Sequence, residues 1–396
     1  MNKAFIIINL TSGLGGATRR YISLFNYIQT KRDDYFLIIN KKLFRYFVDN
    51  RFLEESKYIL LIDLHEKNIT IDRAVALKKR ETRKKRRGLI RFMGRVKSFA
   101  RLGITWLRFA AQFVKYYKKY RFGLVYTIFT GGAWSWPLRK ILKFKSIHSY
   151  NDISLYSLSR SPLDFFDSEY WVLKRSDMID FLSPEIKRRI EERFGIIETA
   201  RVTISPNSFV DYKNFFAEYP KENNAVFVGR MSPEKNPILF LESIATFNNS
   251  YQSAGEIKFY MLGAGALDEE IKTYIKEHNL TNVVFVGAEP EPWKYLRKSR
   301  VFVSLQRNNN YPSQALLEAM ACENAVIATD VGETRLLVSA EEGILVQPAA
   351  EEIAQAFERL FTDPAACERM GCNARRKAIE NHNIEKFAEY IFKITN

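Results

Sequence analysis

The sequence predicts a two-domain α/β protein in which each domain is a parallel sheet covered by helices. Its 396 residues are more than one hydrophobic core usually takes, and 46% of them are hydrophobic. Apolar runs alternate with helical stretches along both halves, as in parallel strands joined by crossover helices. Proline, asparagine and charged residues interrupt this pattern at residues 205–224, so we expect domains at 1–205 and 206–380. A last helix, residues 381–396, is expected to pack on the first domain.

The first half alternates strand and helix signals from its start. The apolar run at residues 5–9 is too short for a signal peptide and predicts the first strand, and a glycine turn at 13–16 opens a helix from about 17 to 29. Residues 73–120 are helical and basic, and no run reaches the ~18 apolar residues of a membrane-spanning helix. Further strands are expected at 35–39, 58–62, 124–129, 146–150 and 180–183.

The second half shows the same alternation more clearly, with helical stretches between its apolar runs. Its most informative stretch is 302–332, which predicts a buried strand, a polar loop, a helix and another strand. In such a βαβ unit the loop after the first strand and the start of the helix face one crevice, where free backbone N–H groups favour an anion. Strands are expected at 225–228, 258–262, 283–286, 301–305, 325–328 and 344–346.

The polar groups of this stretch suit a phosphorylated sugar. The loop holds the amides of Asn308, Asn309 and Asn310, and Ser313 is placed to cap the helix. Glu318 lies one to two turns inside the helix, near enough to reach the hydroxyl groups of a ligand. The combination therefore predicts a site for a phosphorylated sugar.

Charge is distributed very unevenly along the chain. Residues 1–200 contain 40 Lys and Arg against 19 Asp and Glu, whereas the remaining residues are net acidic. Residues 73–145 alone contain 22 basic residues and one acidic residue. The three cysteines have no second Cys/His cluster beside them, so we expect a reducing cytosol, no disulfide framework and no zinc site. We also expect no other metal and no cofactor.

The basic segment 73–145 has three interpretations. It can be a solvated face, or it can bind nucleic acid, although no recognised reader motif accompanies it and we expect no nucleic-acid partner. Residues 89–120 interleave apolar residues, among them Trp106, Tyr116 and Tyr117, with Lys and Arg at helical spacing. A basic amphipathic helix with aromatic residues is typical of an anionic membrane surface, which is the interpretation we favour.

Residues 316–321 read Leu-Leu-Glu-Ala-Met-Ala, and with the preceding loop they resemble the donor-site motif of family-4 glycosyltransferases, the retaining enzymes of the GT-B fold. In that motif an acidic residue precedes a short loop containing Gly and Pro. Here Asn309 and Asn310 occupy the place of the acid, and the spacing leaves open which of them aligns. The resemblance implies a GT-B protein, with two Rossmann-like domains facing each other across a cleft.

The same resemblance assigns roles to the residues of the loop and helix. It implies that Glu318 contacts the ribose of a nucleotide-sugar donor, and that Asn309, Pro312 and Ser313 also bind the donor. It places Asn310 among the catalytic residues.

Two cations are expected at the diphosphate of the donor. Arg230 and Lys235 follow the strand at 225–228 and precede a helix expected to begin at Pro237. Cations there can neutralise a diphosphate leaving group as its charge develops. Family-4 enzymes have Gly-Arg, a short gap and Lys at this point, so the resemblance implies that Arg230 and Lys235 bind the donor pyrophosphate.

Two glycine clusters follow strands and open helices. Residues 13–16 resemble the glycine loop of GT-B N-terminal domains, which implies that Gly15 and Gly16 approach the donor phosphates and the acceptor. Residues 263–265 lack the third glycine of a dinucleotide fingerprint, and we expect them only to tighten a strand-to-helix turn.

Three further catalytic candidates lie in or just after the strand expected at 146–150 in the first domain. His148 lies in this strand, and Asn151 and Asp152 fall just past its end. Members of the resembled family often have a functional His followed by Asp or Gly at this edge. His148 supplies the imidazole while the Asn151-Asp152 pair matches the position better, so all three stay candidates for the catalytic group.

The resemblance implies a retaining, metal-independent glycosyltransferase of the hexosyltransferase class. The donor would be a UDP- or GDP-sugar, and the acceptor a lipid-linked or membrane-associated glycan in surface polysaccharide biosynthesis. We expect a cytoplasmic protein bound peripherally to the inner face of the cell membrane. Two alternatives remain: a nucleotide-sugar epimerase of the same fold, and a catalytically weak partner subunit that binds donors.

Overall fold

The computed structural model describes residues 1–8, 16–64, 88–151, 168–195, 197–206, 212–251 and 256–396. The chain forms two compact units, which we describe separately. Unit 1 contains Met1–Asn207 and Phe387–Asn396, and unit 2 contains Ser208–Lys386. The chain therefore leaves unit 1 after residue 207 and re-enters it at residue 387.

A seven-stranded parallel sheet forms the centre of unit 1. Its strands are β1 (Lys3–Ile8), β2 (Tyr35–Asn40), β3 (Ile59–Ile62), β4 (Leu124–Phe129), β5 (Lys145–Tyr150), β6 (Met178–Phe181) and β7 (Val202–Ile204). The spatial order is β3-β2-β1-β4-β5-β6-β7, so the direction of winding reverses between β1 and β4. Ligands of doubly wound sheets bind outside the carboxyl ends of the strands at such a reversal.

Helices join the strands of unit 1. They are α1 (Gly16–Gln29), α2 (Lys41–Asp49), α3 (Gly88–Tyr120), α4 (Gly131–Leu142), α5 (Ser168–Arg175) and α6 (Pro184–Phe194). Strand residues of β1, β2, β3 and β4 pack with α3 and α4 in one apolar core. The inner side of α3 buries Phe109 and Phe113 completely. Because the strands are buried on both faces, their sequences are almost continuously apolar.

Three further aromatic residues of α3, Trp106, Tyr116 and Tyr117, pack on the inner side of the helix. Trp106 donates from its ring nitrogen to the Trp134 carbonyl at 3.0 Å, and the Tyr116 hydroxyl donates to the Leu61 carbonyl at 2.8 Å. These side chains and that of Tyr117 pack against the core of unit 1. The aromatic residues that the sequence assigned to a membrane-facing side therefore belong to the packed side of the helix.

Unit 2 is built around a six-stranded parallel sheet in the order β10-β9-β8-β11-β12-β13. The strands are β8 (Glu222–Val228), β9 (Lys258–Leu262), β10 (Val283–Gly287), β11 (Ser299–Ser304), β12 (Ala325–Thr329) and β13 (Gly343–Val346). The helices are α7 (Pro237–Ser250), α8 (Asp268–Glu277), α9 (Trp293–Leu296), α10 (Gln314–Ala321), α11 (Ala350–Thr362) and α12 (Pro364–Asn381). The winding reverses between β8 and β11, which makes this the expected ligand edge.

A last helix, α13 (Ile384–Thr395), begins in unit 2 and continues into unit 1 without a break. Inside unit 1 the Tyr390 hydroxyl donates to Asp180 at 2.6 Å, and the Tyr35 and Thr395 hydroxyls lie 2.6 Å apart. These contacts bind the re-entering segment to strands β2 and β6.

The strands predicted from the sequence are all present, with ends displaced by three residues or fewer. β7 is an additional strand of only three half-exposed or exposed residues, too short for a periodic signal. Among the described residues, no helix combines the length and the apolar character that crossing a membrane requires.

Candidate active site

Unit 2 places two cations at the carboxyl end of β8. The loop after this strand, residues 229–236, which we call the cation loop, carries Arg230 and Lys235 and ends where α7 begins at Pro237. Arg230 is exposed and Lys235 is half-buried. Burial, and then the positive charge of Arg230, lower the pKa of Lys235 to about 8. A nearby anion would relieve both effects, so the loop suits a phosphate or diphosphate group.

Two glycines after β9 support the cation loop. At Gly263, where φ is +130°, a Cβ atom would lie 1.8 Å from the Gly229 carbonyl oxygen. At Gly265 a Cβ atom would lie 2.2 Å from the Met231 carbonyl oxygen. The Gly229 N–H also donates to the carbonyl of Leu262 at 2.9 Å. The sequence indicated only a tightened turn here, but these glycines let two loops pack backbone to backbone beneath the cations.

Asn310 lies in the loop after β11, residues 305–313, which we call the asparagine loop. The residue has no exposed surface. Its side-chain nitrogen donates to the Thr329 carbonyl at 3.0 Å and to the Thr334 hydroxyl at 3.1 Å, and its oxygen accepts from the Ser304 hydroxyl at 2.6 Å. These bonds join the ends of β11 and β12. The amide of Asn310 therefore supports the loop and is not presented to a ligand in this structure.

Asn309 is half-buried and connects the asparagine loop to the loop after β12. Its side-chain oxygen accepts from the N–H groups of Tyr311 at 2.9 Å and Glu333 at 3.0 Å. Gly332, with φ of +56°, permits this contact, because a Cβ atom there would lie 2.8 Å from the Asn309 side-chain carbon. Its amide oxygen is thus used within the fold, as the amide of Asn310 is.

The helix that carries Glu318 begins at the end of the asparagine loop. Ser313 caps α10, since its hydroxyl oxygen accepts from the Leu316 N–H. Glu318 is 7% exposed, and one of its carboxylate oxygens accepts from the Gln314 side chain at 2.7 Å. Pro312 is half-buried just before the cap. The helix start and the carboxylate thus stand at the same edge as the asparagine loop.

One member of this edge was missed in the sequence. The exposed Arg307 lies in the asparagine loop, and its N–H donates to the Glu234 carbonyl at 3.1 Å. Its guanidinium donates to the Asn236 side chain at 3.3 Å. Arg307 therefore joins the asparagine loop to the cation loop and adds a third cation. The available signal was its position three residues after the end of a buried strand.

The geometry brings these groups together because β8 and β11 are hydrogen-bonded neighbours. The cation loop follows β8 and the asparagine loop follows β11, so both lie at the carboxyl end of the sheet where its winding reverses. A ligand at this edge would meet cations from both loops and the carboxylate of Glu318. Such a set can hold an anionic group and a hydroxyl-bearing group of one molecule.

His148 lies inside unit 1, where the sequence made it a catalytic candidate. It is 2% exposed, its Nδ1 lies 2.8 Å from the Thr127 hydroxyl, and its ring packs edge-on against Tyr150. Burial lowers the pKa of His148 to about 3, so the imidazole is neutral. Gly132 leaves the room for this ring, since a Cβ atom there would lie 2.4 Å from Nδ1. The structure gives His148 a packing role.

Asn151 follows β5 and is 9% exposed. Its side-chain oxygen accepts from Arg20 at 3.2 Å and from the Tyr21 hydroxyl at 3.1 Å, so it belongs to a buried polar network. Asp152 and Gly15 lie outside the described residues. Gly16 is the first residue of α1 and follows the end of β1 by eight residues in sequence.

Residues 208–377 match the family model described as Glycosyl transferases group 1, which spans almost all of unit 2. The chain is similar to GalNAc-alpha-(1->4)-GalNAc-alpha-(1->3)-diNAcBac-PP-undecaprenol alpha-1,4-N-acetyl-D-galactosaminyltransferase of Campylobacter jejuni, with 25% identity over 52% of this chain and 57% of that one. It is also similar to poly(ribitol-phosphate) alpha-N-acetylglucosaminyltransferase of Staphylococcus aureus, with 26% identity over 48% of this chain and 38% of that one. The chain thus spans about half the length, or less, of these curated relatives.

Solved structures resemble the whole chain. Sucrose-phosphate synthase from Thermosynechococcus elongatus superimposes with a TM-score of 0.72 at 20% identity, over 100% of this chain and 98% of that one. Anabaena HepE in complex with UDP gives a TM-score of 0.74 at 13% identity, over 100% and 99%. The fold prediction is therefore confirmed as an α/β protein of the GT-B class with two Rossmann-like units.

Proposed function

We propose that this protein is a glycosyltransferase that transfers a sugar from a nucleotide-sugar donor to a glycan acceptor. The observation that carries the proposal is the edge of unit 2 where Arg230 and Lys235 follow β8 while Ser313 and Glu318 follow the neighbouring β11. The match of unit 2 to the Glycosyl transferases group 1 model supports it. A UDP- or GDP-sugar is the proposed donor, and UDP is the nucleotide bound to Anabaena HepE.

The chemistry follows from where charge develops. When the sugar leaves, the diphosphate gains negative charge, and preorganised cations stabilise that state more than the bound donor. Arg230 and Lys235 would supply this charge in place of a metal, so we propose a metal-independent reaction. Glu318 would accept hydrogen bonds from the ribose hydroxyls and so orient the donor. Retention of configuration and membership of family 4 are part of the proposal through the resemblance of residues 316–321.

The second candidate function is that of a catalytically weak subunit that binds the donor, and it is favoured by Asn309 and Asn310. The family motif has an acid where Asn309 and Asn310 stand, and the amide oxygens of both are engaged within the loops. Neither amide can serve as a general acid or base. A chain that binds nucleotide sugar but neither hydrolyses nor transfers it would favour this candidate.

We further propose a lipid-linked or membrane-associated acceptor in surface polysaccharide biosynthesis, reached from the inner face of the cell membrane. The Campylobacter jejuni relative is named for an undecaprenol-linked substrate. Helix α3 adds a physical reason, because Ile104 and Leu107 are 52% and 61% exposed on its outer side. Lys115 and Lys118 continue the same side as exposed cations. Apolar side chains followed by cations suit the boundary of an anionic bilayer.

The test is product analysis by mass spectrometry with a panel of nucleotide sugars and membrane extract as acceptor. Lys235→Met and Glu318→Gln should each lower kcat by about 100-fold or more, because each removes a charged contact to the leaving group or ribose. Lys298→Met, an exposed lysine at the other end of the unit 2 sheet, should leave kcat unchanged. Near-native rates in both site variants would contradict the donor-site assignment.

A further inference from the structure

One buried arginine of unit 1 contacts both places where the chain passes between units. Arg20 lies in α1 and is 1% exposed. Its Nη2 donates to the Ser205 hydroxyl at 3.1 Å and to the Pro206 carbonyl at 2.9 Å, immediately before the chain leaves unit 1. Its guanidinium carbon lies 3.9 Å from the ring centroid of Phe387, the residue at which the chain re-enters unit 1.

The same guanidinium also holds the end of β5. Its Nη1 donates to the Asn151 side-chain oxygen at 3.2 Å. A planar guanidinium has five N–H donors in fixed directions and a face that packs on aromatic rings. Arg20 can therefore connect four segments at once: α1, the end of β5, the exit segment and the re-entry helix. A lysine at this position has no such geometry.

Burying a charged side chain in a core costs free energy unless the charge is paired and hydrogen-bonded. The opposite charge nearby belongs to Asp180, which is fully buried and accepts from Tyr390 of the re-entry helix at 2.6 Å. Tyr390 in turn lies 2.8 Å from the Thr203 hydroxyl of β7, the strand that leads to the exit. Arg20 and Asp180 thus both hold the exit segment and the re-entry helix. An apolar residue at either position would make no such polar contacts with them.

We propose that Arg20 is a positioning residue that fixes the exit and re-entry points of the chain in unit 1, and that sugar transfer requires these points to be fixed. The requirement for sugar transfer rests on the proposed function, whereas the fixing of the exit and re-entry points does not. Donor binding by the cation loop belongs to unit 2, so the effect falls on turnover and not on donor affinity.

The first measurement is amide hydrogen–deuterium exchange on the whole protein. Arg20→Met puts an unbranched apolar side chain in place of the arginine and removes its hydrogen bonds. Exchange at residues 202–206 and 387–395 should become at least about tenfold faster. Arg201→Met is the matched control, because Arg201 donates to the carbonyl of Leu173 at 2.9 Å, away from the re-entry helix. It should leave exchange at 387–395 unchanged.

The second measurement is the kinetics of transfer. Arg20→Met should lower kcat at least about tenfold with donor KM within about twofold, and Arg20→Lys should recover part of this loss. If Arg20→Met does not fold, Ser205→Ala, which removes the hydrogen bond from Arg20 to the Ser205 hydroxyl, should show the same changes on a smaller scale. Unchanged exchange at both segments, or faster exchange with native kcat, would overturn the proposal. Absence of transfer by the wild-type chain would instead count against the proposed function, while exchange would still decide about Arg20.

Discussion

At the scale of single residues, Lys235 makes nucleotide binding depend on pH. Burial and Arg230 lower the pKa of its ammonium group to about 8 in the free protein. A bound diphosphate favours the charged form and raises that pKa, so binding takes up a proton once the pH exceeds about 8. Affinity for a nucleoside diphosphate should be constant below this pH and then fall by up to about tenfold per pH unit as the ammonium deprotonates. Calorimetric titration between about pH 7 and 9.5 would measure it.

The matched variant is Lys235→Arg. A guanidinium stays charged throughout this range, so its affinity should not change with pH. If the wild type and Lys235→Arg show the same pH dependence, another group controls binding.

Single residues are also where prediction from the sequence was weakest. Arg230, Lys235, Ser313 and Glu318 were predicted from two short motifs, and the structure places them at one edge of the unit 2 sheet. Their contacts with a donor stay a prediction. The burial of Asn310 was not predictable, because its hydrogen-bond partners on β12 and beyond lie 19 and 24 residues away. Arg20 gave no signal either, since its partners at positions 205 and 206 belong to another part of the sequence.

At the scale of elements, the position of the cation loop depends on the absence of a side chain at Gly263. Its Cβ would overlap the Gly229 carbonyl oxygen, which is backbone and cannot rotate away. Gly263→Ala should therefore displace the loop and weaken nucleoside diphosphate binding at least about tenfold, because about 1.4 kcal/mol of lost contact suffices for that change. Calorimetric titration at neutral pH would measure the loss, with thermal unfolding followed in parallel.

Gly287→Ala is the control for backbone conformation. Gly287 also has positive φ, +80°, but no atom lies within 4 Å of a Cβ placed there. It should cost stability, about 1–2 kcal/mol for a left-handed residue, without weakening nucleotide binding. Equal binding losses in both variants would mean that backbone strain alone, and not the contact with the cation loop, is responsible.

Elements themselves were largely predictable, because buried parallel strands are continuous apolar runs and amphipathic helices keep a 3.6-residue period. What could not be predicted is which side of an element faces its neighbour. In α3 the aromatic residues Trp106 and Tyr116 turned toward the core, and Ile104 and Leu107 were left outside. The contact between the cation loop and residues 263–265 could not be predicted either, because the sequence does not show which loops face each other.

At the scale of the whole molecule, the uneven charge predicts orientation at an anionic surface. Residues 1–200 carry an excess of 21 positive charges, while the remaining residues are net acidic. Replacing Lys115, Lys118 and Lys119 of α3 by Ser should weaken binding to vesicles that contain anionic lipid by about 100-fold, since each lysine contributes about 1 kcal/mol. Vesicle sedimentation at rising salt would measure this, and binding should weaken as screening increases.

The matched control removes the same charge from unit 2. Lys272, Lys276 and Lys298 are exposed lysines there, and their replacement by Ser should leave vesicle binding intact. Equal losses in both triple variants would show that only net charge matters. Binding to RNA with a steep salt slope, without binding to vesicles, would contradict the membrane proposal.

The re-entry of the chain into unit 1 bears on how this protein is made. Synthesis proceeds from the N-terminus, so every residue of unit 2 leaves the ribosome before the segment 387–396 that completes unit 1. Until then Asp180 lacks Tyr390, and Tyr35 lacks Thr395, although Asp180 and Tyr35 were translated long before. Unit 1 therefore stays incompletely packed while unit 2 is synthesised. A chain whose translation ends just before residue 387 would contain all of unit 2 but lack the last segment of unit 1.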